Sequence, residues 1–104
     1  MSAPDENRIA RHLLIRGRVQ GVGFRYWAAS EAERRGLAGW VRNRRDGAVE
    51  LVAAGPAEVV EDFVAACRRG PFRARVDRVE IDAAGEAERA NMSADGSFAV
   101  LHTI

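Results

Sequence analysis

Gly17-Arg18-Val19-Gln20-Gly21-Val22-Gly23-Phe24-Arg25 joins an alternating apolar run to a helical one, and the rest of the chain reads outward from it. Glycine lets backbone amides turn inward without a clash at Cβ. A helix start offers unpaired N–H groups and the positive end of a dipole. A glycine turn opening a helix is therefore a cradle for a phosphate-sized anion. Arg25 adds a fixed charge and a forked donor at its rim. Two readings of these residues stand side by side. Gly21 and Gly23 either cradle an anion or simply permit a tight turn, and Arg25 is either a surface charge or a cation set against the dipole because an anion balances it.

Upstream, residues 9–19 alternate as a strand, with Leu13 and Ile15 set against His12 and Arg16, and Leu14 blurring the pattern. Residues 1–8 are expected as a disordered tail before a single domain over 9–104. Downstream, 24–35 predicts a helix with Phe24, Trp27, Ala28 and Ala32 on its apolar stripe and Gly36 at its end. Residues 37–44 and 48–54 predict two strands around an Asp46-Gly47 turn. The second of these puts Val49, Leu51 and Ala53 on one face, with Glu50 and Val52 on the other. Between Pro56 and Gly70 lies the clearest helix. Glu58, Glu61 and Asp62 sit at its positive end, Arg68 and Arg69 at its negative end, and Val59, Val60, Phe63, Val64 and Cys67 form a buried stripe. Residues 75–81 predict a fourth strand, 84–94 a polar connector, Asp95-Gly96 a turn and 98–104 a last strand. The order βαββαβ with one strand appended predicts an α+β fold. Its sheet is mixed or antiparallel, with two helices on one face and a wetter face opposite.

At 104 residues the chain is one domain able to bury a core unaided. Its net charge of +1 hides an asymmetry. Residues 8–45 carry ten arginines against two glutamates, giving +8, whereas residues 46–104 carry six arginines against eleven acids, giving −5. A basic front half suits an anionic ligand, although a solvated surface accounts for the imbalance alone. All sixteen basic residues are arginine, so Schiff-base chemistry and a lysine nucleophile are excluded. The single cysteine, Cys67, excludes an intrachain disulfide and a cysteine-rich zinc site, and His12 and His102 lack ligand spacing. Neither a metal nor a cofactor is expected. With no apolar run of membrane-spanning length and no h-region in residues 1–7, the expected location is the cytoplasm.

A second motif, Gly39-Trp40-Val41-Arg42-Asn43-Arg44-Arg45-Asp46-Gly47-Ala48-Val49-Glu50, makes the reading specific. The first motif resembles the first signature of the acylphosphatases, and this one resembles their second. Gly70-Pro71, Ala74, Val76 and Val79 resemble the family's segment after the second helix, so the similarity covers about residues 10–82. Residues 98–104 follow the family pattern only loosely, and no functional residue is carried from them. The resemblance implies a ferredoxin-like open sandwich and hydrolysis of the carboxyl-phosphate bond of a small-molecule acyl phosphate. It implies that the phosphate rests on the amides of Gln20, Gly21, Val22, Gly23, Phe24 and Arg25 and on the Arg25 side chain. It also implies that Asn43 holds the attacking water, making Arg25 and Asn43 the catalytic pair.

Physical chemistry supports such a site. A carboxylate leaves unprotonated, so no strong general acid is needed, and phosphoryl transfer through a loose transition state relies on positioning and charge stabilisation. Asn43 is neutral and orients water rather than deprotonating it; alternatively it is a turn residue before the hairpin. Gln20 reads as structural, Trp27 and Trp40 as core or edge packing, His12 and His102 as ordinary strand residues and Cys67 as core. Asp46 and Glu50 form an acid pair or, more simply, belong to the hairpin. Arg42, Arg44 and Arg45 draw in anions or solubilise that hairpin, the latter reading being preferred for Arg44 and Arg45. Inorganic phosphate or sulfate is expected to compete with substrate, and a monomer is expected. A non-enzymatic anion-binding module of the same fold is the alternative; such domains also open larger carbamoyl-transfer maturation proteins, which continue into cysteine motifs not found here. RNA binding is disfavoured because residues 48–54 offer no aromatic for stacking, and no membrane partner is expected.

Overall fold

Alternation along three strands decides which way the sheet faces. Leu13 and Ile15, Val41, and Val49, Leu51 and Ala53 all turn to one side and are fully buried. The computed structural model describes residues 7–104. Its elements are β1 (Arg8–Arg18), α1 (Phe24–Arg34), β2 (Ala38–Asn43), β3 (Val49–Pro56), α2 (Ala57–Arg69), β4 (Arg75–Ala83), α3 (Glu86–Arg89) and β5 (Phe98–Val100). The strands form one sheet in the order β4-β1-β3-β2-β5. β1 pairs antiparallel with β3 and β4, β2 pairs antiparallel with β3, and β5 runs parallel to β2. The sheet is therefore mixed, and the fold is the ferredoxin-like α+β open sandwich.

α1 carries the chain from β1 across β3 to β2, and α2 carries it from β3 across β1 to β4. This interleaving puts the loop after β1, the β2–β3 hairpin and the start of β4 at one end of the sheet. Phe24, Ala28, Ala29 and Ala32 of α1 pack with Val60, Phe63, Val64 and Cys67 of α2 over the buried side chains of that face. Phe63 meets the Phe98 ring edge-on at 6.1 Å. Trp27 and Val59, expected within the buried stripes, are only partly buried and pack against its margin, whereas Ala29 and Ala66 are buried. Among the described residues no helix is long and apolar enough to cross a membrane.

Several boundaries differ from the sequence reading. β1 begins at Arg8, inside the expected tail, and residues 1–6 of that tail lie outside the described residues. Pro56 closes β3 and caps α2 rather than entering its first turn. β5 stops at Val100 instead of reaching Ile104. In its register Val100 lies beside Val41, so a strand four residues longer would run past Asn43 into the hairpin turn. Scattered backbone bonds continue the contact: Leu101 N–H to the Val41 carbonyl (2.8 Å), Ile104 N–H to the Asn43 carbonyl (3.1 Å) and Arg45 N–H to the Ile104 carbonyl (2.6 Å).

The larger correction concerns the face expected to be wet. Ala10, Trp40, Val52 and Ala84 form a second, smaller core there, joined by Met92, Ala99 and Leu101. The supposed connector folds over this face as α3, and the Trp40 indole N–H donates to the Glu88 carbonyl at 2.7 Å. Gly85 N–H bonds to Glu88 Oε1 (2.6 Å) and starts the turn. A segment this rich in charge carries no apolar period, because only Ala84 and Met92 face inward.

Candidate active site

The loop after β1 keeps its amides unspent. Gly21 and Gly23 take φ of +74° and +80°, values that other L-residues adopt only with strain. A Cβ at either would meet open space, so it is backbone conformation and not crowding that calls for glycine. Gly17 belongs elsewhere: it lies within β1, where the register with β4 shifts and a Cβ would collide with the Arg75 carbonyl. Gly23 caps α1, no side chain bonds the helix's first amides, and its first turn holds no acid. The first amide of this region with an acceptor is that of Trp27, bonded to the Gly23 carbonyl at 3.0 Å. Among the described residues the N–H groups of 21–26 have no protein acceptor. Six orphan donors around one turn are the kind of arrangement that can hold an anion.

Arg25 and Asn43 come to this turn from different elements. Together with Val19, Gln20, Gly21, Gly23, Phe24 and Tyr26 they line one cavity of about 140 Å³. No carboxylate among the described residues lies within ion-pair distance of Arg25, whose guanidinium sits 5.7 Å from the centre of the Tyr26 ring. Val22 lends no side chain to the cavity and packs instead against the core. Asn43 is the last residue of β2. Its neighbours Trp40 and Arg42 turn away from the helices, so Asn43 turns toward them and the cavity.

Gln20 binds the two halves together. Its side-chain amide donates to the carbonyls of Arg44 (2.7 Å) and Ala48 (2.9 Å), fastening the loop to the hairpin. The Gln20 side chain is thus engaged with the hairpin. In the hairpin, Asp46 Oδ1 accepts from Ala48 N–H at 3.0 Å. That bond holds the Asp46 carboxyl below its usual range, assisted by Arg44 and Arg16 against some desolvation. Asp46 and Glu50 are no acid pair. Glu50 lies on the far face, 5% exposed, among Arg42, Arg44 and His12. Arg44 is accordingly an ion-pair residue rather than a solubilising one, and His12 is a partner to a buried acid rather than an ordinary strand residue. Cys67 stands outside the chemistry, its thiol pushed up to about 12 by burial.

No acid or imidazole lines the cavity, so the arrangement can bind an oxyanion and orient a neutral nucleophile, but it offers no side chain to remove a proton. Val19, inside the first motif, and Tyr26, one residue beyond it, also line the cavity, and sequence reasoning did not single them out because which residues of a turn face inward depends on φ and ψ. A larger cleft of about 430 Å³ lies at the start of α2, lined by Asn7, Pro56, Ala57, Glu58 and Val59. Its one charged side chain is an acid, which disfavours an anion there.

The family model and the curated relatives agree on one family. Residues 11–97 match the family model described as Acylphosphatase. An acylphosphatase of Nitrobacter hamburgensis is 67% identical over 72 residues, 69% of this chain and 73% of the relative. One from Rhizorhabdus wittichii is 53% identical over 83 residues, 79% of this chain and 84% of the relative. The solved acylphosphatase from Coxiella burnetii superposes with a TM-score of 0.82 at 31% identity, covering 97% of this chain and all of the other.

Proposed function

This chain belongs to the acylphosphatase family and is a hydrolase of acyl phosphates, and on that premise we propose that the turn at 20–25 and Arg25 hold the substrate's phosphate while Asn43 orients the attacking water. The supporting observation is the convergence in one cavity of amides without acceptors, an arginine without a carboxylate and a neutral side-chain amide. The amides and the guanidinium neutralise the charge spread over the phosphoryl oxygens as the bond to the acyl oxygen loosens. The acyl group leaves as a carboxylate and takes no proton, which accords with a cavity lacking an acid. Asn43 accepts from or donates to the water and fixes its line of approach. Because no lining side chain is free to accept a proton, the Arg25 guanidinium being already protonated, the bound phosphate takes the water's proton.

Val22 contributes its amide only, and Gln20 acts through the hairpin it fastens. The reaction proceeds without metal or cofactor, on a monomer, and inorganic phosphate or sulfate competes for the cradle. Benzoyl phosphate hydrolysis in excess chelator tests the assignment. Full activity is expected there, and a strict requirement for a divalent ion would contradict it. Arg25→Ala should raise KM and the inhibition constant of phosphate while lowering kcat. Asn43→Ala should lower kcat by roughly 100-fold, the scale of one lost transition-state contact, with phosphate inhibition preserved. An unchanged kcat in Asn43→Ala would remove that residue from the mechanism.

A further inference from the structure

Asn43 is asked to hold a water at the very end of a strand, yet its own side chain has no hydrogen bond to the protein among the described residues. What fixes it lies behind the sheet. Alternation turns its neighbours Arg42 and Arg44 to the opposite face, and both end on one carboxylate oxygen. Glu50 Oε1 accepts from Arg42 Nε at 2.8 Å and from an Arg44 Nη at 3.3 Å. Glu50 Oε2 lies 2.7 Å from His12 Nε2 on β1. The Arg42 guanidinium also rests 4.6 Å over the Trp40 ring, and Arg44 Nε stands 3.5 Å from Asp46 Oδ2. Asp46 in turn faces Arg16 at 3.7 Å, and Arg16 bonds Glu80 at 2.7 Å. None of these carboxylates or the histidine lines the cavity.

A carboxylate this deeply buried persists only if partnered. Here the partners are two side chains bracketing the residue that faces the substrate. We propose that Glu50, backed by His12, is a positioning residue for hydrolysis: it grips Arg42 and Arg44 from behind the sheet and so aims the Asn43 amide into the phosphate cavity. The inference rests on the reading of Asn43 as the water-orienting group. The phosphate cradle is fastened separately, through Gln20 to backbone carbonyls of the hairpin. Losing the grip of Glu50 therefore disturbs the water and not the phosphate.

The test is a double-mutant cycle on the full chain, with E50Q, N43A and the pair E50Q/N43A, all verified as folded by circular dichroism at the assay temperature. E50Q should lower kcat about 10-fold or more, the scale of a misplaced reacting group. The inhibition constant of inorganic phosphate should stay within about twofold of wild type. In the N43A background, E50Q should change kcat by less than about twofold, because its effect passes through Asn43. A wild-type kcat in E50Q overturns the inference, as does an equal loss in both backgrounds, which is what a merely structural carboxylate produces. If N43A alone keeps the wild-type rate, the parent reading falls and this inference with it. Should E50Q fail to fold, H12Q, which loosens one of the three partners, carries the same expectation and the same overturning results.

Discussion

At the scale of the residue, the site depends on backbone more than on side chains. Gly23 is the clearest case: its φ of +80° aims the amides that follow, and a Cβ there would touch nothing. Gly23→Ala should therefore destabilise the fold by only about 1–2 kcal/mol, the cost of a left-handed L-residue. Phosphate inhibition should weaken more than that loss implies, because a relaxed φ turns the amides away. Urea unfolding and inhibition measured side by side check it, and unchanged inhibition would show that the turn's conformation is incidental. The glycine turn, Arg25 and Asn43 were legible in the two motifs, whereas Val19 and Tyr26, which also line the cavity, were not singled out. What sequence could not give was their division of labour. Gln20 and Val22 are adjacent in kind to Gly21 and Gly23, and only the fold shows one fastening a hairpin and the other packing inward. Arg44 and His12 were misread for a related reason: period two says which face a residue takes, not that Glu50 is buried there to receive it.

Among the elements, strongly patterned segments were readable and lightly patterned ones were not. α2, with its apolar stripe and charges matched to the helix dipole, lies within a residue of its expected bounds. The Asp46-Gly47 hairpin and the Asp95-Gly96 turn both form, each with the aspartate accepting from the N–H two residues on. α3 was missed because a single turn has no period, and its hold on the sheet is tertiary. That hold is concentrated in the fully buried Trp40 and its bond to the Glu88 carbonyl. Trp40→Phe should cost at least about 1 kcal/mol, since it removes a donor and leaves a carbonyl unsatisfied. Hydrogen exchange over residues 84–92 should accelerate more than exchange in β1 or β3. Equal acceleration throughout would mean that α3 is not a separately held unit.

For the whole molecule, acidic groups set the response to pH. Hydrogen bonds from His12 and Arg42 outweigh burial and leave the Glu50 carboxyl below its ordinary value. Glu31 is lowered chiefly by Arg35, and Glu80 by Arg16 and Arg78. Asp46 and Asp95 are lowered chiefly by the N–H groups of Ala48 and Ser97. In each case the unfolded chain binds its proton at a higher pH than the folded one. Their contribution is therefore complete above the ordinary carboxylate range and is lost as pH falls through the folded values. Stability followed by urea midpoint should be level from about pH 7 to 5 and decline below about pH 4, whereas a rise on acidification would refute the assignment. The same whole-chain view joins the β1–α1 turn to the β2–β3 hairpin as one binding unit, and it is this union that an NMR titration with inorganic phosphate examines most directly. Saturable shifts are predicted at the amides of Gly21 to Tyr26 and at the side-chain amide of Asn43, and they should be abolished in Arg25→Ala. Shifts confined to other surfaces, or none at these amides, would contradict the account.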